Sequence, residues 1–484
     1  MEKQLFSLLF ALSTSIFLLN GQELRQAPYF HPDQNKLNSE AADRAKSSVL
    51  TAFSVPDRFD KEAKKAFVEE RLRIGQSVSE VVLETALFDD VLYPFVKSVH
   101  EKIIAANPAL PTTSVILTSE PVPNAFSVGD GTIVVYTGLI SELENEDQLA
   151  FVLCHELAHY ALHHATHQLV KEIEHFQSKA FKAQIKKIKE AQFNQSELYE
   201  SMYRNVQFKS RYHRRDLERQ ADSLAYHYFL NTSYSPAQAM RLLELFETID
   251  EHKGDSLLQL EQHFGCPAFP FQSKWNDNGS SSIWGTAHEA QKERYKSLSD
   301  SLSTHPDAQA RFNWIAAMAA ANHPTEHPVT IDNYQQIKYL CALENVQAWY
   351  DRERYDKTIY TALLYQKVYP ECAYFKEICT LSLNGLFVQS KNHNLSAVLS
   401  QTSPYYDKGY NALLVLLNNL RLSELAALQS CSFDEQLEPD SEFGLYAAYR
   451  YSVGKDDKAR TNLLQKKYLQ LYPKGRFSDA MIEK

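Results

Sequence analysis

The pattern of hydrophobic and polar residues in the N-terminal part of the chain predicts an α+β domain. Residues 22–80 are polar and partly helical in spacing, and apolar residues from Val81 to Ala106 recur at helical intervals. Two stretches rich in β-branched residues follow, 112–119 and 124–140, and a Gly-Asp-Gly turn interrupts the second. Helical spacing returns at Asn145 and continues through His164. We therefore predict a small sheet packed against a long helix.

Beyond the Pro-containing stretch 321–330, the pattern is helical to the end of the chain. Segments 355–371 and 456–474 share a polar start, an apolar-periodic middle and a terminal Tyr-Pro. This pattern resembles the stacked helix pairs of tetratricopeptide repeats, and a plain helical bundle is the alternative. We therefore predict four segments: an N-terminal signal segment at 1–21, a helical segment at 22–80, the α+β domain at 81–325 and the helical repeat-like domain at 331–484.

Two segments permit more than one interpretation. Residues 168–217 predict a charged helical region with an apolar stripe and a group of lysines, which fits either a membrane surface or a packed helix with a solvated face. Residues 253–290 are loop-like and rich in aromatic side chains. They fit either a lid or a packed insertion.

The N-terminus predicts export. Lys3 precedes a 15-residue apolar run from Leu5 to Leu19, which is short of the roughly 20 residues that a membrane span needs. A secretory signal peptide over residues 1–21 is the interpretation, and an uncleaved anchor is the alternative. Export would permit disulfides between some of the six cysteines.

Composition narrows the function classes. A chain of 484 residues with 44% hydrophobic content is long enough for two or three packed domains. The net charge of −10 argues against a nucleic-acid partner.

The segment "CHELAHYALHHATH", residues 154–167, holds five histidines. On a helix, His155 and His159 lie on one face and could bind one metal ion. Hydrolysis also needs a base beside that ion, and only His155 is followed by a glutamate, Glu156. We therefore predict His155 and His159 as ligands and Glu156 as the base. The later histidines are predicted to be surface or supporting residues.

A catalytic zinc ion usually has three protein ligands. The pattern H-E-x-x-H-x-x-G-x-x-H is excluded because Leu162 and Ala165 occupy its Gly and His positions. The other common solution is a Glu from a later helix, and Glu218 supplies it. Asp222, one turn further, could accept a proton from a ligating histidine.

The ordered motifs H-E-L-A-H and E-x-x-A-D, preceded by "NAF" and "GLI", resemble the HtpX / CAAX-prenyl-protease family of zinc metallopeptidases, most of all its periplasmic BepA-type members. The resemblance implies a mainly helical gluzincin-type domain with a small β-sheet, followed by the all-α tetratricopeptide-like domain. It also implies that Asn124 and Phe126 lie in an edge segment that pairs with the substrate backbone. His305 would lie near the zinc ion, with Arg311 supporting it.

The function expected from this resemblance is zinc-dependent peptide-bond hydrolysis by an exported, periplasmic or secreted enzyme. Misfolded or unassembled envelope proteins are the expected substrates, in quality control or outer-membrane protein assembly. The tail would recruit a protein partner, and any membrane association would be peripheral. The alternative is a chaperone or adaptor that works through the tail while its zinc site is closed.

Overall fold

The computed structural model describes residues 18–19, 22–23, 25–190, 215–249, 258–276, 308–322, 324–325, 327–329, 333–403, 406–431 and 439–482. The predicted signal peptide therefore lies outside the described residues, apart from 18–19. The chain divides into two compact units. The sheet unit comprises Asn35–Asp250 and Arg294–Tyr334, and the helical unit comprises Met1–Gln34, Glu251–Glu293 and Gln335–Lys484.

Helices dominate both units. In chain order, the described helices are α1 Gln34–Ala52, α2 Lys61–Thr85, α3 Leu92–Ala106, α4 Thr137–Glu142, α5 Glu146–Ala161, α6 His164–Gln177, α7 Lys179–Glu190, α8 at 215–230, α9 Ala237–Ile249, α10 Leu260–His263, α11 Ala308–Asn322, α12 Tyr334–Asp351, α13 Tyr355–Val368, α14 Ala373–Lys391, α15 Lys408–Asn419, α16 Leu422–Cys431, α17 Glu442–Gly454, α18 Lys458–Leu471 and α19 Ser478–Ile482. The described strands are β1 Leu18–Leu19, β2 Gln22–Glu23, β3 Ser114–Thr118, β4 Ala125–Ser127 and β5 Thr132–Tyr136. Short 3-10 helices lie at Ser273–Asn276 and Leu395–Ala397.

The sheet unit is built around three strands in the order β3-β5-β4. Strand β5 is parallel to β3 and antiparallel to β4. Its residues Ile133, Val134 and Val135 are fully buried, because a central strand with both faces covered needs apolar side chains on each face. Strand β4 is an edge, since no other described strand pairs with its outer side.

The turn between β4 and β5 confirms the predicted Gly-Asp-Gly hairpin. Gly129 and Gly131 both have positive φ, at 92° and 95°, which favours glycine. A Cβ atom added at Gly129 would lie 2.8 Å from the Cβ of Ala165. The turn therefore packs closely against the start of α6.

The predicted helix from Val81 to Ala106 is interrupted. Helix α2 ends at Thr85, Ala86 forms an isolated bridge to Thr118, and α3 begins at Leu92. The Asp89 carboxylate accepts hydrogen bonds from the first two backbone N–H groups of α3, at 3.1 and 2.8 Å. Capping by Asp89 starts a new helix where the apolar spacing alone predicts continuity.

Helix α5 carries the histidine motif through the interior of the sheet unit. Asn145 caps it by accepting a hydrogen bond from the N–H of Gln148 at 3.0 Å. The prediction extended this helix through His164, but it ends at Ala161. His163 then adopts the left-handed conformation with φ 55°, and α6 begins at His164. The four-residue histidine spacing therefore stops being a helical face after His159.

The structure confirms the prediction that the described part of the chain after residue 331 is helical. Helix α13 packs along α14, α17 packs along α18, and α14 also contacts α16 and α17. Leucines of α13 to α16 form its apolar core. The tetratricopeptide-like character of this unit stays a prediction.

The described part of the predicted loop region, residues 258–276, packs into the helical unit. Phe264 and Trp275 are buried in its core, and Cys266 forms a disulfide with Cys431. These residues therefore form a packed insertion rather than a lid.

The sheet unit is a mainly helical domain with a small sheet, which confirms the α+β prediction. Among the described residues, no helix has both the length and the apolar character needed to cross a bilayer.

Candidate metal centre

Three side chains converge inside the sheet unit. His155 and His159 come from α5, and Glu218 comes from α8. The two Nε2 atoms are 3.0 Å apart. Glu218 oxygens lie 3.4 Å from the Nε2 of His155 and 3.6 Å from that of His159.

These separations fit one zinc ion. Two ligand atoms about 2.0–2.1 Å from one ion, at a tetrahedral angle, lie roughly 3.3–3.4 Å apart. The three observed separations bracket that value. Two imidazole nitrogens and one carboxylate also form a ligand set that catalytic zinc sites use.

A buried ion pair orients His155. The Nδ1 atom of His155 lies 3.0 Å from Oδ1 of Asp222, so it donates its hydrogen there and Nε2 faces the other candidate ligands. Arg311 donates to both Asp222 oxygens, at 2.9 and 2.8 Å. Asp222 is fully buried and Arg311 nearly so. The Asp222–Arg311 pair therefore holds the His155 ring by its Nδ1 side, opposite the Nε2 atom that faces the other candidate ligands.

The same contacts set the charge state. Burial and the charge of Arg311 lower the pKa of His155, but hydrogen bonds to Asp222 and Glu218 outweigh them and raise it to about 9. Burial raises the pKa of Asp222, but Arg311 and His155 hold it well below its usual range. Asp222 is therefore ionised at neutral pH.

His159 is oriented by a different histidine. Its Nδ1 atom lies 2.9 Å from the Nδ1 atom of His164, which is buried. In a continuous helix, residues five apart would not face one another. The left-handed turn at His163 brings His164 back toward His159, so sequence spacing alone could not assign this partner.

Glu156 lies beside the three candidate ligands. It is buried, and its Oε2 atom accepts a hydrogen bond from the backbone N–H of Ser127 at 2.8 Å. Ser127 belongs to edge strand β4. The sequence does not indicate this backbone contact, because no residue type at position 127 signals it.

The register of β4 shows which backbone groups face its open edge. The carbonyl of Asn124 accepts from Tyr136, and the N–H of Val128 donates to Thr132, so both bond toward β5. Backbone groups alternate along a strand, so Phe126 also bonds toward β5 while Ala125 and Ser127 point to the open edge. The resemblance had named Asn124 and Phe126 for backbone pairing. The register instead places Ala125 and Ser127 there.

Most of the predicted site residues come together in this structure. His155, Glu156, His159, Glu218 and Asp222 lie in one group, in which all are buried except the half-buried His159. Arg311 belongs to it too, but its contact is Asp222. His305, which Arg311 was expected to support, lies outside the described residues.

Comparisons with known proteins match a peptidase family over the same part of the chain. Residues 94–319, which include every residue of the group, match the family profile described as "Peptidase family M48". The chain is 37% identical over 81 residues to "Metalloendopeptidase OMA1, mitochondrial" of Bos taurus and 36% identical over 81 residues to the Homo sapiens protein of the same name. It is 34% identical over 59 residues to "Mitochondrial metalloendopeptidase OMA1" of Arabidopsis thaliana.

Each match covers only a short segment of this chain and of the relative. The matches cover 16% of this chain and 16% of the two mammalian proteins, and 12% of each chain for the plant protein. The profile match and the named relatives nevertheless point to the same chemistry. Residues 94–319 thus match Peptidase family M48.

Proposed function

We propose that the chain is a zinc-dependent metalloendopeptidase that hydrolyses internal peptide bonds of polypeptide substrates. The observation that carries this proposal is the convergence of His155, His159 and Glu218 at zinc-like separations, with Glu156 beside them. The match of residues 94–319 to Peptidase family M48 supports it. His155, His159 and Glu218 would hold the ion.

His155, His159 and Glu218 would hold a zinc ion that would supply Lewis acidity for polarising a peptide carbonyl and acidifying water. Glu156 is the proton carrier. Its carboxylate takes a proton from the attacking water and delivers it to the leaving amine. The N–H of Ser127 holds the Oε2 atom of Glu156 at the start of this transfer.

Three further residues hold the histidine ligands in the orientation that zinc binding needs. Asp222 holds the Nδ1–H of His155, and Arg311 holds Asp222. His164 holds the outer nitrogen of His159. Such contacts keep the inner nitrogens directed at one point, which metal affinity requires. His305 remains a candidate for stabilising the oxyanion.

The substrate lies in extended form along strand β4. Ala125 and Ser127 direct backbone groups to the open edge, and Glu156 bonds to that same edge. An extended polypeptide can add to a sheet edge through main-chain hydrogen bonds. This placement brings a backbone carbonyl of the substrate close to Glu156 and selects unfolded segments.

Export is part of the proposal. The apolar run at the N-terminus contains no arginine, which favours a secretory signal over the Arg-rich transit peptides of mitochondrial proteins. The Cys266–Cys431 disulfide fits an oxidising compartment. We further propose the HtpX / CAAX-prenyl-protease subtype, most like BepA-type members, with a tetratricopeptide-like tail that recruits partners in envelope protein quality control.

The test compares three purified proteins on casein, an unfolded polypeptide. Glu156→Gln should lower the cleavage rate about 10²–10⁴-fold. Glu84→Gln, at an exposed position of α2, is the matched control and should cleave as the wild type does. Equal cleavage by wild type and Glu156→Gln would remove Glu156 from the mechanism. Zinc binding without cleavage in any of the three would favour the adaptor function of the tail.

A further inference from the structure

The helical unit contains a cavity of about 440 Å³. Its walls come from helices α13, α14 and α16 and from residues 262–265 of the packed insertion. This volume falls in the range of roughly 300–1,000 Å³ that is typical of small-molecule sites. No step of the proposed hydrolysis uses the cavity.

The floor of the cavity is apolar. Phe264, Ile359, Leu363, Leu383 and Leu428 all line it and are all buried. These side chains come from four separate segments of the chain. A floor of this kind accommodates a hydrocarbon group and offers it no charged partner.

The rim is polar and carries one cationic side chain, that of Lys376. Lys376 and His263 line the cavity, together with the amide side chains of Gln262 and Gln366. Burial lowers the pKa of His263, and the charge of nearby Lys367 lowers it further, so this ring is neutral at neutral pH and Lys376 is the cationic side chain among the described lining residues.

The carboxylate of Glu377 interacts with the charge of Lys376, but it accepts a hydrogen bond from Ser441 and is not among the described residues that line the cavity. None of the described residues that line the cavity is an aspartate or a glutamate. In the whole chain, by contrast, acidic residues outnumber basic ones by 60 to 50. The charge of the lining therefore complements an anion.

The disulfide joins two of the walls. Cys431, at the end of α16, lines the cavity and is bonded to Cys266, which directly follows the wall segment 262–265. Cys266 and Phe269 also exchange two backbone hydrogen bonds, each 3.0 Å long. This covalent link holds the segment in place, so a ligand would meet a preformed site.

We propose that this cavity binds a carboxylate joined to an apolar group. The apolar group occupies the floor, and the carboxylate accepts hydrogen bonds from Lys376 and from the amide side chains at the rim. The C-terminal residue of a polypeptide has this chemistry, and so does a short fatty acid. Such a site gives the helical unit a binding function beyond the proposed hydrolysis.

The test uses the complete chain with Glu156→Gln, so that peptide probes stay intact. The probes are a fluorescent pentapeptide that ends in a free leucine carboxylate, the same peptide as its C-terminal amide, and octanoate. Fluorescence anisotropy should show the free acid binding at least tenfold more tightly than the amide. Lys376→Glu should weaken binding at least tenfold, whereas Lys391→Glu, at the exposed end of the same helix, should leave it unchanged.

Octanoate distinguishes the two sources of the carboxylate. If octanoate binds, depends on Lys376 and the peptide does not bind, the ligand is a fatty acid. If the peptide acid binds, the ligand is a polypeptide C-terminus. If the peptide acid and the amide both bind with equal affinity, or if neither the peptide acid nor octanoate binds, the proposal is overturned. A loss of casein cleavage in Glu156→Gln affects neither result.

The free thiol of Cys379 gives an independent measurement, because it also lines the cavity. A bound carboxylate should slow the alkylation of Cys379 by N-ethylmaleimide, as followed by peptide mass spectrometry. Lys376→Glu should remove this protection. An alkylation rate that saturating probe leaves unchanged contradicts binding in the cavity.

Discussion

Replacing Asp222 with Asn tests the buried support of the metal centre. Asn keeps the shape of the side chain but removes its negative charge. Arg311 then lies buried without its bidentate partner, and the Nδ1–H of His155 loses a charged acceptor. Both the stability of the sheet unit and its affinity for zinc should therefore fall.

The expected magnitude follows from burial. Removing one partner of a buried ion pair costs about 3–5 kcal/mol. Glu218 lies 3.7 Å from the Nη1 atom of Arg311 and still offers it a negative charge, so we expect the lower end of that range. Loss of an outer hydrogen bond to a ligating histidine lowers metal affinity about 10–100-fold.

The assay is urea unfolding of Asp222→Asn in excess chelator, followed by circular dichroism, so that metal binding does not contribute. Arg311→Met and the double variant complete a mutant cycle, and the double variant should be less destabilised than the sum of the two single ones. Asp216→Asn, on the exposed face of the same helix, is the control. If Asp222→Asn unfolds at the same urea concentration as the control and binds zinc equally well, the buried pair does not support the site.

Two further changes test other parts of the account. His164→Phe should lower zinc affinity about 10–100-fold by releasing the outer nitrogen of His159, as measured by competition with a chromophoric chelator; His167→Phe, at an exposed position, should not, and equal affinities would refute the assigned role. Cys266→Ser should destabilise the helical unit by about 2–4 kcal/mol through loss of the bond to Cys431. A reductant should then lower the thermal midpoint of the wild type but leave that of Cys266→Ser unchanged, and a wild type insensitive to reductant would contradict the disulfide's contribution.

Local spacing predicts the centre of the site. His155 and His159 lie one turn apart on a single helix, and Glu156 is adjacent, so five residues of sequence define their geometry. The strands β3 to β5 were predictable for the same reason, because β-branched residues and a glycine turn are local signals.

The remaining contacts depend on residues that are distant in sequence or on a local change of backbone. Arg311 meets Asp222 across 89 positions, and Cys266 meets Cys431 across 165. His164 reaches His159 only because His163 adopts a left-handed conformation. Apolar periodicity carries no information on any of these three contacts.

Zinc content measured by atomic absorption tests the central claim most directly. The purified wild type and Glu156→Gln should each hold one zinc ion per chain, because Glu156 is not a ligand. Glu218→Gln should hold less, since its amide replaces a charged ligand, while its circular dichroism spectrum stays that of the wild type. A Glu218→Gln protein that retains one ion with unchanged affinity, or a folded wild type that binds none, would contradict the account.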